Sequence, residues 1–151
     1  MKQTGAGTAS RATVAAAGDE QSMLLLLDAA RSIQERLEVT LERVGLSTAR
    51  YMALDVLVKA GEPLTLSDLA GRLRCVRSNI TQLLDRLEAD ALVRRVSDPE
   101  DRRALRAVVT KLGTQRQAAG ADAVARLQAE LAARVAPADR ALFHRVLAAL
   151  R

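Results

Sequence analysis

From about residue 19 onward, apolar residues in this chain recur at three- and four-residue steps, and the rhythm breaks for one stretch only. Met23, Leu26, Ala30, Ile33, Leu37, Leu41 and Val44 form one series, and Ile80, Leu83, Leu84 and Leu87 form another. A 3.6-residue turn stacks such residues on one face, so most of the chain is predicted to be helical. The exception runs from Leu92 to Thr110. There Val93, Val96, Leu105, Val108 and Val109 flank Ser97-Asp98-Pro99-Glu100-Asp101. β-Branched residues on either side of turn chemistry read as a β-hairpin. The expected fold is mainly α with a small β-hairpin.

The helix ends are marked locally. The first helix runs from about Asp19 to Val44 and stops at Gly45. At about 39 Å it is too long for one small domain to cover, so part of it is expected to pack on another chain. Ser47 caps the next helix, with Tyr51, Leu54, Val56 and Leu57 inward and Gly61 past its end. Glu62-Pro63 breaks the chain, and Leu64-Thr65-Leu66 is a short extended piece. Ser67 is read as the cap of a short helix from Asp68 to Leu73. After Arg74-Cys75-Val76 comes a helix from Arg77 to about Asp90. Two helices joined by a tight turn form a helix-turn-helix, and the hairpin that follows is its wing. Thr110 caps an Ala-rich helix to about Val135, with Leu112, Val124, Leu127 and Leu131 inward. Pro137 opens the last helix. Residues 1–18 are Gly, Ala, Ser and Thr with few charges, read as a disordered tail too polar for a secretory signal. That leaves one domain at 19–151, with outer helices at 19–44 and 111–151 around a winged helix-turn-helix at 47–110.

Composition narrows the chemistry. The net charge of +5 favours a polyanionic partner. Lys2, Lys59 and Lys111 are the only lysines among 23 basic residues. The rest are arginine, which forks onto phosphate and guanine edges, although a GC-rich genome produces the same excess. With one Tyr and one Phe there is no stacking platform for single strands. One Cys and one His give no disulfide and no ordinary zinc site, and nothing near His144 supports a triad. No catalytic residue, metal or cofactor is expected, and no apolar run reaches the roughly 20 residues that span a bilayer. Cys75, in the turn before the second helix of the pair, reads as a small buried residue.

With Ile80, Leu83, Leu84 and Leu87 on the core, Arg77, Ser78, Asn79, Thr81, Gln82 and Arg86 turn outward. Such a face is either simply solvated or reads DNA: Arg pairs with guanine, Asn and Gln with adenine, and Thr meets a thymine methyl. The wing adds Arg94, Arg95, Arg102, Arg103 and Arg106.

Asp101-Arg102-Arg103, five residues, then Val109-Thr110 resembles the D-x-R-x5-(L)-T signature of the MarR family of bacterial transcription regulators. Gly45-Leu46-Ser47, Leu66-Ser67-Asp68-Leu69-Ala70 and Leu84-Asp85-Arg86-Leu87-Glu88 fall where that family has similar stretches. The resemblance covers roughly residues 20 to 150. It implies a cytoplasmic, homodimeric winged helix-turn-helix repressor that binds a pseudo-palindromic operator in double-stranded DNA and answers to a small-molecule effector. The first helix and the last two would form the dimer. The helix carrying Arg77 to Arg86 would enter the major groove. Arg94, Arg95, Arg102 and Arg103 would serve the wing, with Arg103 in the minor groove, braced by Asp101 and Asp85. Ser67 would cap a helix near phosphate. The sequence departs from the family's pattern at Gln82, where arginine is common, and at Val109, where leucine is usual. It departs again at Ala91, where glycine is usual, so that Asp90 is expected to take the left-handed end of the recognition helix. A helical interaction protein that keeps the winged fold without reading DNA is the alternative, and an enzyme has little chemistry to draw on.

Overall fold

The computed structural model describes residues 19–74, 77–99, 101 and 104–150, with backbone alone for 19, 20, 77 and 78. The expected tail at 1–18 and Cys75 lie outside the described residues. The chain falls into two compact units, one up to Arg36 and one from Leu37 onward.

In the first unit the described residues belong to helix α1 (Asp19–Glu42). Met23, Leu24, Leu25, Leu26 and Leu27 are 40–63% exposed. Five consecutive residues pass right round a helix with 3.6 residues per turn, so the apolar surface here is a collar rather than a stripe. Ile33, lower on the helix, is also exposed.

The second unit begins with the last turn and a half of α1 and continues through α2 (Thr48–Ala60), β1 (Leu64–Thr65), α3 (Leu66–Leu73) and α4 (Arg77–Ala89). The strands β2 (Val93–Ser97) and β3 (Leu105–Val109) follow, then α5 (Lys111–Ala133), a 3-10 turn at Pro137–Asp139 and α6 (Arg140–Ala149). The core gathers Leu41 and Leu46 with Leu54 and Leu57 of α2, Leu69 of α3, Ile80, Leu84 and Leu87 of α4, and Val93 and Ala107 of the sheet. Leu83 is only half-buried.

Caps set these elements. Ser47 is extended, and its hydroxyl accepts from Arg50 N–H at 3.3 Å, while Gly61 closes α2 at φ +68°. The turn after α1 is a Schellman motif: Gly45 N–H donates to Glu42 O, and Leu46 N–H donates to Leu41 O. Gly45 takes the left-handed position that the motif requires, at φ +74°. The end of α4 repeats the geometry with Ala91 N–H on Glu88 O and Leu92 N–H on Leu87 O. Ala91 itself sits at φ +56°, so the left-handed residue is Ala91 and not Asp90 as the sequence suggested. The motif fixes its left-handed place one residue beyond the helix cap, and the chain meets that demand with alanine.

Two further expectations are corrected and one is made sharper. The cap of α3 is Thr65, whose hydroxyl accepts from Asp68 N–H at 3.1 Å, and Ser67 lies inside the helix. The extended piece before α3 is a true strand: Leu64 pairs with Ala107 and Thr65 with Arg106, giving a three-stranded antiparallel sheet in the order β1-β3-β2. Leu112, expected inward, is exposed, and the inward face of α5 is made by Gly113, Gly120, Ala123 and Leu127. On α6, Leu142, Phe143, Val146 and Leu147 are 42–54% exposed, and His144 is exposed beside Phe143. No helix among the described residues is long and apolar enough to cross a membrane.

Candidate nucleic-acid interface

α3 packs on α4, and α4 packs on β2, so the helix-turn-helix and the wing form one continuous surface. α4 is held by its apolar side. Ile80, Leu84 and Leu87 are fully buried, and burial of each contributes about 1.5–3 kcal/mol. The opposite side therefore has one orientation. It presents Asn79, Thr81, Gln82 and Arg86, all exposed, together with Asp85 and Glu88. Four of the six residues expected to read DNA are thus brought onto one exposed surface. Arg77 and Ser78 begin the helix, and their side chains lie outside the described residues.

In the wing, β2 and β3 pair in the register Val93 with Val109 through Ser97 with Leu105. Strand alternation turns Val93 and Ala107 into the core and leaves Arg94 exposed. Arg102 and Arg103 lie outside the described residues, and Asp101 is exposed beside them in sequence. Asp98, only 6% exposed, anchors the turn at the end of β2. Its N–H donates to Ala104 O, and its carboxylate accepts from Arg106 Nε at 2.8 Å. Burying a carboxylate is costly unless it is paired, and Arg106 supplies the pair.

Arg95 departs from expectation. The sequence places it among the wing's DNA contacts, but the structure turns it onto α4. Its Nη2 donates to Asp85 Oδ1 at 2.6 Å and to the Thr81 carbonyl at 3.3 Å, and its Nη1 donates to Glu88 Oε2 at 3.0 Å. Its backbone N–H donates to Glu88 Oε1 at 3.0 Å. Asp85 pairs with Arg95, and Arg103, which it is expected to brace, lies outside the described residues. Glu88 was missed altogether. The signal that could have found it is the Asp85–Glu88 spacing of three, which puts both carboxylates on one edge of α4.

The base of the wing is tied to α5 through Thr110. Its N–H donates to Leu92 O at 3.0 Å, its hydroxyl donates to Ala91 O at 2.7 Å, and the same oxygen accepts from Gly113 N–H at 2.9 Å. The last residue of the D-x-R-x5-T pattern thus fastens α5 to the turn after α4. Farther along α5, Arg116 Nη1 donates to Val44 O at 2.8 Å and Gln117 donates to Asp55 at 3.0 Å. At the opposite end of α2, Thr48 N–H donates to Glu38 Oε2 at 2.8 Å. The Thr48 side chain and backbone, both hydrogen-bonded to Glu38, hold its carboxyl below the usual value. Among the described residues no group of three or more His, Cys, Asp or Glu could hold a metal ion.

Comparison with known proteins falls on the same surface. The model of the MarR family matches residues 44–104. The HTH-type transcriptional regulator PrsX of Escherichia coli is 33% identical over 92 residues, 60% of this chain and 55% of that protein. The chain spans about half the length of the curated relatives it matches. Two crystal structures share its fold. The MepR–DNA complex of S. aureus has a TM-score of 0.75 at 19% identity, covering 85% of this chain and 94% of that one. A MarR mutant from E. coli has a TM-score of 0.71 at 20% identity, covering 83% and 93%. With a buried α4, a three-stranded wing and the family's own pattern running through residues 44–104, this segment of the chain is similar to the MarR family.

Proposed function

We propose that this protein is a transcription regulator that binds double-stranded DNA sequence-specifically, with α4 in the major groove and the wing beside it. The observation that carries the reading is the exposed set Asn79, Thr81, Gln82 and Arg86, held outward by a helix that buries Ile80, Leu84 and Leu87 on its other face. A rigid helix with short polar side chains in its first half is what base-edge recognition needs. Arg94, exposed on β2, serves phosphate, and Arg103 serves the minor groove.

The finer reading is a cytoplasmic homodimer on a pseudo-palindromic operator, acting as a repressor that a small ligand releases. The exposed apolar collar of α1 and the exposed apolar residues of α6 support self-association, because a soluble monomer rarely leaves such patches uncovered. A groove of about 350 Å³, lined by Leu57, Val58, Pro63, Val108 and Val109, has the size small molecules occupy.

The test is selection of bound duplexes from a random pool, followed by titration of the winner against salt. The reading expects an inverted-repeat motif and a log–log slope of about −0.9 for each phosphate neutralised. Recovery of no motif, with a shallow slope, would favour the alternative of a helical interaction protein.

A further inference from the structure

We propose that Arg95 is a positioning residue that locks the rotational setting of α4 to the wing, and that it governs base discrimination without touching DNA. The inference rests on the reading of α4 as the DNA-reading helix.

Thr81, Asp85 and Glu88 stand at i, i+4 and i+7, so they form one edge of α4. Arg95 holds all three. Its two Nη atoms reach Asp85, Thr81 O and Glu88 at 2.6–3.3 Å, and its own backbone N–H takes the remaining Glu88 oxygen. The Arg95 side chain is only 19% exposed, while Asp85 and Glu88 are 55% and 40% exposed. The arginine is therefore the enclosed partner and has no free fork to offer a phosphate. Gln82 lies beside that edge and Asn79 across the helix from it, so turning α4 moves both. With a helix about 5–6 Å in outer radius, a rotation of about 20° carries a side-chain tip about 2 Å. Hydrogen bonds to base edges tolerate only a few tenths of an ångström, so a loosened α4 loses discrimination before it loses contact with the duplex. The charge balance points the same way. One arginine faces two carboxylates, so the cluster is net negative against a polyanion. It therefore adds geometry rather than attraction.

The experiment first selects a duplex with the wild-type chain. It then compares wild type, Arg95→Gln, Arg95→Lys and Glu88→Gln on that duplex and on a scrambled one across salt, with circular dichroism to confirm folding. A lysine can hold a phosphate as a point charge but cannot fork across Asp85 and Glu88. The expected result is that Arg95→Gln and Arg95→Lys both lower the selected-to-scrambled affinity ratio by about tenfold, with the wild-type salt slope retained. Glu88→Gln should bind the scrambled duplex more tightly, having lost a negative charge, yet show a lower ratio. A ratio restored by lysine, or a slope shallower by about 0.9 in Arg95→Gln with the ratio unchanged, makes Arg95 a phosphate contact and overturns the proposal. If the Arg95 variants fail to fold, Glu88→Gln decides, and an unchanged ratio there is equally fatal. A wild-type chain that enriches no motif overturns the DNA-reading assignment and this proposal with it, which separates that failure from a failure of Arg95 alone.

Discussion

Replacing Gly113 with alanine should unfold this protein far more readily than a methyl added at any other glycine among the described residues. Gly113 is in the first turn of α5, pressed against the turn that follows α4. A Cβ there would lie 2.0 Å from the Leu92 carbonyl oxygen, 3.0 Å from its carbon and 2.8 Å from Val109 Cγ2. An ordinary carbon–oxygen contact is about 3.3 Å, so the helix start must retreat by more than about 1 Å. The obstacle is backbone, which no rotamer change can clear. That retreat stretches the two bonds of the Thr110 hydroxyl, to Leu92 O at 3.1 Å and from Gly113 N–H at 2.9 Å, beyond useful range. Two weakened hydrogen bonds at about 1 kcal/mol each, with about 1–3 kcal/mol of overpacking, outweigh the roughly 1 kcal/mol that alanine gains over glycine in a helix. The net loss is about 2–4 kcal/mol. Urea unfolding followed by circular dichroism, at one protein concentration so that self-association is constant, measures it. Two companions sharpen the test. Gly71→Ala, with nothing within 4 Å in α3, should stabilise by up to about 1 kcal/mol. Gly61→Ala meets no atom but must hold φ +68°, and should cost about 1 kcal/mol. A Gly113→Ala midpoint equal to wild type, or three variants that cannot be told apart, would refute the reasoning.

Ala91→Gly should stabilise the fold by about 0.5–1 kcal/mol, read as a higher urea midpoint, because glycine enters the left-handed position that alanine now holds at φ +56°. The Glu38 carboxyl is held low by its hydrogen bonds to Thr48, so its contribution is present above its ordinary value of 4.5 and fades as pH falls through the lowered one. The stability gap between wild type and Glu38→Gln should therefore be widest at neutral pH and close in acid, and a gap that grew in acid would contradict the sign. Asn79→Ala should alter which operator bases are preferred while keeping the salt slope, whereas Arg94→Ala should weaken all duplexes alike and flatten the slope by about one. Light scattering at micromolar concentration should give twice the chain mass, and a monomer mass would remove the homodimer from the functional reading.

Local chemistry made much of this protein legible in its sequence. Helical periodicity located α1 to α6, and Ser47, Gly61 and Thr110 marked ends that their own neighbours satisfy within three or four residues. The hairpin was legible for the same reason: turn residues between alternating β-branched runs fix a register without help from elsewhere. The polar face of α4 followed from the buried positions of Ile80, Leu84 and Leu87, since a helix with one face committed has only one other to show. What tertiary structure alone decided was the choice among chemically equivalent partners. Thr65 and Ser67 both carry a capping hydroxyl. Thr65 is the cap because pairing with Arg106, 41 positions along the chain, holds it extended at the mouth of α3. Asp85 had several arginines within sequence reach of the wing. It meets Arg95 because β2 packs along α4 and lays that side chain across the Asp85–Glu88 edge. Helical and strand periods are properties of one segment, whereas the partner of a charged side chain depends on which two segments the buried core brings together.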